Sequence, residues 1–315
     1  MEGKLKNIEV IFGECRKMPD IAVLMGLTYN CSKVNLINLK TNNPPSALIN
    51  GAESSALGFA LYEVIRDKFV GSPLELSRSR VSRVDCDSIN GKLLISWNTQ
   101  GSFSMLRKTI GLVLSTLDPM KLFSKYSENM KLLGGKTDRN VFNNKANELI
   151  NAIKKNIKFV VCGRVKLDSA KIKELLEKVE KKIPSMESPS AKEMSKPPSY
   201  TEFSCEFPTI KVSGVAAVAV ADYIKSKSGG MGVDVFDGHI VVYNHSWKTK
   251  ESSLKKIDRI KDYVKQKYEK LGSDFSCVLA YLSITQGYAD CCTVSQIIKS
   301  KPTATSMVEH IKSNI

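Results

Sequence analysis

The sequence predicts an α+β fold built as two linked parts, and three observations predict it. Through residues 1–183, short apolar runs of strand character alternate with stretches whose apolar residues recur at helical spacing. Residues 184–202, "PSMESPSAKEMSKPPSYTE", hold four prolines and several serines with almost no large apolar side chains, the composition of a linker. Residues 203–315 then repeat the centre of the first plan on a smaller scale: a helix, a hairpin and a helix.

In the first part, "IEVIFG" (8–13), "AVLMGLTY" (22–29) and "KVNLINL" (33–39) are expected as three strands, ended by the Asn42-Asn43-Pro44-Pro45 turn. Ser54 or Ser55 is the expected cap of a helix carrying Leu57, Leu61, Val64, Ile65 and Phe69. Two strands follow, near 74–84 and 92–97, with Asn90-Gly91 as the hairpin turn, since such a turn needs positive φ. Phe103, Leu106, Ile110, Leu114 and Leu117 mark a helix that stops at Asp118-Pro119. Asp138 is placed to cap a helix with Phe142, Leu149, Ile150 and Ile153 on its apolar face. A buried strand at 157–161 and a helix starting at Asp168 complete the part.

In the second part, "FPTIKVSG" reads as a strand and 215–224 as a helix of small residues. "GVDVFDGHIVVY" reads as a hairpin with Asp237-Gly238 at its turn, so Gly91 and Gly238 are expected to be equivalent turn glycines. An amphipathic helix over 254–271, a strand over 275–284 and a C-terminal helix follow.

Composition narrows the function classes. Of the 315 residues 42% are hydrophobic and 25% charged, which is globular and not disordered. The formal net charge of +15 suits a polyanion such as nucleic acid, an acidic protein partner, or simply a solvated lysine surface. Aromatics at stacking spacing are missing, which disfavours single-strand binding. The eight cysteines (15, 31, 86, 162, 205, 277, 291 and 292) contain no Cys-x-x-Cys pair, so neither a disulfide framework nor a structural zinc is expected, and a reducing compartment is. No signal or transit peptide is read in "MEGKLKNIEV" and no run approaches a membrane span, so a cytoplasmic or particle-borne protein is expected.

Few residues invite a site. Arg78, Arg80 and Arg83 form the densest arginine cluster, able to grip phosphates or acidic side chains, or to guard a sheet edge. His239 and His245 could share a metal with Asp234 or Asp237, or be ordinary hairpin histidines. The glycines of "SKSGGMGVDV" (226–235) lie between a helix and a strand, the reverse of a phosphate loop. No catalytic residue, metal ligand or cofactor site is assigned.

Three segments, "ALGFALYEVIRDKF" (56–69), "GKLLISWNTQGSFSMLRKTIGLVLSTL" (91–117) and "IKFVVCGRVKLDSAKIKELLEKVEKKIP" (157–184), resemble the insulinase and mitochondrial-processing-peptidase family, the pitrilysin-like metallopeptidases. The resemblance implies two linked α/β-sheet domains, here 1–183 and a reduced 203–315, joined by the 184–202 linker. Active members carry His-x-x-Glu-His, two zinc ligands and a water-activating Glu. This chain has only His239, His245 and His310; Glu309-His310 matches the motif's end, but Ser306 stands where the first histidine belongs. Arg66 stands for a peptide-holding Arg of the family's second domain, with no Tyr following it. The resemblance therefore implies a non-catalytic building block among other protein subunits; the basic, cysteine-containing composition extends this to a minor shell component of a large DNA virus. The alternatives are the silent, substrate-holding half of a heteromeric zinc peptidase and, third, a basic nucleic-acid-binding protein.

Overall fold

The computed structural model describes residues 2–5, 8–43, 51–70, 81–166, 168–180, 209–211, 215–227, 232–236, 239–243 and 257–314. The proposed linker at 184–202 lies outside them. The architecture is α+β, with a six-stranded sheet from the first part and a three-stranded sheet from the second.

Strands β1 (Glu2–Leu5), β2 (Ile8–Glu14), β3 (Asp20–Leu27), β4 (Val81–Ile89), β5 (Lys92–Gln100) and β6 (Ile157–Gly163) lie in the order β1-β2-β6-β3-β5-β4. All neighbours are antiparallel except β2 and β6. The central strands alternate sides with period two. Val23, Met25, Ile95, Trp97, Phe159 and Val161 face one core, while Ala22, Leu24, Leu94, Val160 and Cys162 face another. Both faces are buried, which is why these strands read as nearly continuous apolar runs.

The first core is covered by helices α2 (Ala52–Val70), α3 (Phe103–Ser115), α4 (Phe123–Leu132) and α5 (Arg139–Lys155), with α6 (Ser169–Glu180) packed on β1, β2 and α3. Ser102, Asp138 and Asp168 supply the side-chain oxygens that accept first-turn amides of α3, α5 and α6. The turn between β4 and β5 has Asn90 at φ 56° and Gly91 at φ 65°, the two left-handed residues that a tight hairpin needs.

In the second part β7 (Thr209–Lys211), α7 (Ala216–Lys227), β8 (Gly232–Phe236) and β9 (His239–Tyr243) give a sheet in the order β7-β9-β8. This repeats the first part, where β3, helices α1 (Lys33–Thr41) and α2, β4 and β5 give the order β3-β5-β4, again with every pair antiparallel. The chain continues through α8 (Ile257–Tyr268), α9 (Phe275–Gln286), α10 (Cys291–Ser300) and α11 (Ala304–Asn314).

Four expectations are corrected. The third strand expected at 33–39 is helix α1 (Lys33–Thr41): Ser32 caps it by accepting the Asn35 amide, and Asn42 ends it in the left-handed conformation. The returning strand expected at 275–284 is helix α9, closed by Gly287 at φ 67°. Neither Ser54 nor Ser55 caps α2, which already begins at Ala52; Ser55 Oγ instead accepts the Ser32 amide at 2.9 Å and so braces the start of α1. The strand placed near 74–84 runs over Val81–Ile89, and 71–80 fall outside the described residues.

The second correction shapes the molecule. Where a further strand would have extended the small sheet, α9 lies across the outer face of the large one, against β2, β3, β5 and β6, with α10 beside it on β2, β3 and β6. Phe275, Leu279, Ala280 and Ile284 of α9 are 0–1% exposed. Each of the three large side chains, Phe275, Leu279 and Ile284, contributes roughly 1.5–3 kcal/mol by leaving water. A Cβ added at Gly26 of β3 would sit 2.7 Å from Cys291 Sγ, and one at Gly13 of β2 would sit 3.1 Å from Ile298 Cγ1. The second part is therefore seated directly on the first, with backbone approaching side chain across the join.

Candidate functional site

The charged groups that the fold withdraws from solvent gather along this join. Capping by Ser32 fixes the start of α1 and places Lys33 between the two sheets. Its Nζ hydrogen-bonds Asp234 Oδ1 of β8 and lies 3.5 Å from Asp87 Oδ1 of β4. Lys33 is 7% exposed and Asp234 2%. Burial pulls the ammonium pKa down, but the two carboxylates outweigh it and hold the value above that of a free lysine.

Outward along β4, Asp85 takes Lys40 of α1 at 2.6 Å and Arg83 at 2.8 Å. Arg83 also donates to the Thr285 carbonyl in the last turn of α9, and Lys225 of α7 donates to the Gln286 carbonyl at 2.9 Å. Two cations from different elements thus meet the negative end of α9, where free carbonyls and the helix dipole favour positive charge. At the start of α10 the relation reverses. Asp290 accepts the Thr293 amide at 2.9 Å, and Lys92 of β5 pairs with the same carboxylate at 2.8 Å.

A second cluster lies within the C-terminal part. Asp222 of α7, 4% exposed, accepts from the hydroxyls of Tyr263 (2.8 Å), Tyr268 and Tyr288 (3.0 Å) and from Lys267 Nζ (2.7 Å). Burial, then the neighbouring carboxylate, raises the Tyr268 and Tyr288 pKa values, keeping both as neutral phenols.

These arrangements fix protonation states. An ammonium held charged by two carboxylates has no lone pair for nucleophilic attack, and phenols pushed upward cannot serve as bases near neutral pH. Both clusters are suited to fastening elements together.

The residues singled out from sequence fall in several places. Arg83 lies in the join as described, on the strand at the sheet's edge. Arg78, Arg80, Gly238 and His245 lie outside the described residues. Gly91 sits in the β4–β5 turn, where an added Cβ would meet Asn30 Oδ1 at 2.8 Å. His239 pairs through its backbone with Lys211 and Phe236, and His310 is exposed on α11. Ser306, at the place of the missing histidine, serves as half of a reciprocal cap for α11. Thr303 N donates to its Oγ at 3.0 Å, while Ser306 N donates to Thr303 Oγ1 at 3.1 Å. Arg66 stacks over the Tyr62 ring at 5.5 Å and reaches Asp67 at 3.4 Å. Between α7, which ends at Lys227, and β8, which begins at Gly232, the chain runs helix to strand, opposite to a phosphate loop. Among the described residues no group of three or more His, Cys, Asp or Glu is placed to hold a metal ion, and no helix is long and apolar enough to cross a membrane.

Sequence reasoning missed Lys33, Asp87 and Asp222. For Asp222 a signal existed, because an acid inside "AAVAVADYI" is flanked by apolar residues on every side of a helix. For Lys33 and Asp234 none did, since the partners are 201 residues apart.

No family model and no curated protein matches the chain. Among solved structures the chain is similar in fold to a protease from Helicobacter pylori, with TM-score 0.48, 11% identity, and coverage of 100% of this chain and 96% of that one. It is similar to a peptidase M16 inactive domain from Pseudomonas fluorescens, with TM-score 0.40, 10% identity, and coverage of 99% and 93%. It is also similar to pitrilysin, with TM-score 0.36, 10% identity, and coverage of 99% and 41%. Likenesses at these levels transfer no family, activity, substrate or partner to it.

Proposed function

We propose that this chain is a non-catalytic structural subunit of a larger protein assembly, an insulinase-like fold used as a building block. One observation carries the reading. Among the described residues the outer face of the large sheet is covered by α9 and α10, and the buried Lys33–Asp234 pair fastens α1 to β8, so the described join between the two parts is made of packed side chains. The sequence adds that three histidines, none in a His-x-x-Glu-His, cannot build the family's zinc site.

A place in the shell of a large DNA virus is a narrower form of this proposal and rests on composition alone. So does the use of the basic surface for nucleic acid. The cluster Arg78, Arg80 and Arg83 is the proposed contact with neighbouring subunits. Two of its arginines remain candidates for that role, while Arg83 is already engaged by Asp85 and Thr285. The domain limits 1–183 and 203–315 belong to the same proposal.

The test is sedimentation of the native protein from its source, followed by mass spectrometry of what travels with it. Stoichiometric recovery in a heavy particle supports the building block. Recovery as a small pair with a chain bearing His-x-x-Glu-His would replace it with the silent half of a zinc peptidase. Binding to nucleic acid that falls steeply with salt would favour the third reading. Within the particle, Arg78→Glu with Arg80→Glu should weaken assembly, and unchanged assembly would remove those residues from the interface.

A further inference from the structure

Four neighbouring strands of the large sheet stop at one level. Glu14 of β2 stands opposite Gly163 of β6, Gly163 opposite Ile21 of β3, and Asp20 of β3 opposite Gln100 of β5. Beyond that level the chains leaving β2 and β6 stay fastened together. Cys15 N donates to the Gly163 carbonyl at 2.8 Å, and Val165 N donates to the same carbonyl at 2.9 Å. A Cβ at Gly163 would lie 2.7 Å from the Ile21 Cα, so β3 closes against this point from the other side. Gly101, just after β5, completes the row: a Cβ there would lie 3.9 Å from the Arg164 carbonyl oxygen and 4.0 Å from that of Pro19.

These loops carry Arg16, Lys17, Arg164 and Lys166, all exposed. Arg16 is matched by Glu14 at 2.9 Å. Lys17, Arg164 and Lys166 have no hydrogen-bond or ion-pair partner for their side chains among the described residues. The other acids at this end are already engaged. Asp20 accepts from Tyr281 and from Asn98, and Asp168 caps α6 and lies 3.4 Å from Lys171 Nζ. Adjacent strands lie only about 4.8 Å apart, so three uncompensated positive charges hang from neighbouring backbone at one end of the sheet.

We propose that Lys17, Arg164 and Lys166 form a docking surface for an acidic segment of a different protein, a short run of adjacent Asp or Glu side chains.

Charge complementarity selects the occupant. A second copy of this chain does not supply it, because nowhere in the 315 residues do two acidic side chains stand next to each other. Nucleic acid suits the place less well. The one aromatic side chain in these loops is Phe103, half-buried with Arg107 over its ring at 5.9 Å, so no face is open for base stacking. Glu14 and exposed Asp168 flank the three cations and would oppose the phosphates of a long backbone, whereas a short acidic run fits between them. The backbone hydrogen bonds hold the loops in place before any partner arrives, which lowers the ordering cost of binding. The proposal rests on the reading of this chain as a subunit among others.

The probe is a labelled oligoglutamate peptide, titrated into the full chain at low salt and followed by fluorescence anisotropy. The combined variant Lys17→Glu, Arg164→Glu, Lys166→Glu should bind it about ten-fold more weakly or worse, as expected for three exposed ion pairs lost together. A control with the same change in net charge, Lys136→Glu, Lys265→Glu, Lys270→Glu, alters three other exposed lysines and should change binding less than about two-fold, because distant exposed charges are screened. Glutamine at positions 17, 164 and 166 removes the charge without adding a new one and must weaken binding in the same direction. Equal losses in the patch and control variants would overturn the proposal, since net charge alone would then explain binding. So would tighter binding of a DNA duplex of equal charge with the same loss at the patch. Sedimentation of the chain from its source tests the subunit reading separately: a chain that travels alone removes that reading, while the peptide titration still decides whether the surface recognises adjacent carboxylates.

Discussion

Lys33 Nζ hydrogen-bonds Asp234 Oδ1, so one ion pair, almost wholly out of water, joins α1 of the first part to β8 of the second. The pair's value lies mainly in what its loss would leave behind. Lys33→Met strands two carboxylates, Asp234 deeply buried and Asp87 beside it, and is expected to cost about 3–5 kcal/mol. Combining it with Asp234→Leu should recover most of that, because the deeply buried charge goes too and only the partly exposed Asp87 is left. Urea unfolding midpoints of the two variants test this; a single variant within about 1 kcal/mol of the parent would make the pair incidental.

Asp85 titrates in the opposite direction from a simple buried acid. Burial pushes its carboxyl pKa up, but Lys40 and Arg83 hold it below the usual carboxylate range. A folded-state pKa below the unfolded one contributes stability that is present above the unfolded value, about 3.9, and is lost as pH falls through the folded value. The stability difference between the parent and Asp85→Asn should therefore be constant from about pH 5 to 7 and shrink below about pH 4. Thermal melts across that range check the sign, and a difference that grows on acidification would contradict it.

At Gly26 the backbone of β3 comes close to the start of α10. Gly26→Ala would bring a Cβ to 2.7 Å from the buried Sγ of Cys291, the first residue of α10, and should cost about 1–3 kcal/mol by overpacking. Gly101→Ala is the matched control, since its nearest atoms would be backbone oxygens at 3.9 and 4.0 Å, and should stay within about 0.5 kcal/mol. Equal effects at the two positions would mean that α10 is not pressed on the sheet.

The elements that could be read from sequence were those with one apolar face or a demanding turn. The helices over 103–117 and 141–153 alternate wet and dry sides, and Asn90-Gly91 has few conformations open to it besides a tight hairpin. Helix α9 was misread because it has no wet side: residues 275–281 and 283–285 are all buried, so periodicity vanishes and only its length of 12 residues separates it from a strand. Helix α1 was misread because Val34, Leu36 and the asparagines between mimic alternation, although Ser32 and Asn42 are ordinary helix boundaries. The ion pairs across the join were out of reach, because Lys33 and Asp234 are 201 residues apart and Lys92 and Asp290 are 198 apart, and no local pattern records either pairing.

Asp222 is the point at which the C-terminal part is tied to itself, since its carboxylate gathers Tyr263 and Lys267 with Tyr268 from α8 and Tyr288 from beyond α9. Asp222→Asn keeps the shape, removes the charge and turns one acceptor into a donor facing hydroxyls that already donate. A hydrogen bond to a charged group is worth about 1.5–3 kcal/mol, and with several weakened together the expected loss is about 2–3 kcal/mol. Tyr288→Phe removes one donor from a carboxylate that keeps three others, and should cost about 1 kcal/mol. Because α9 and α10 also grip the large sheet, the loss at Asp222 should appear in hydrogen exchange as faster opening of α7 and α8 while β3 and β6 stay protected. Uniform loss of protection across both sheets would instead mean that the two parts unfold as one unit.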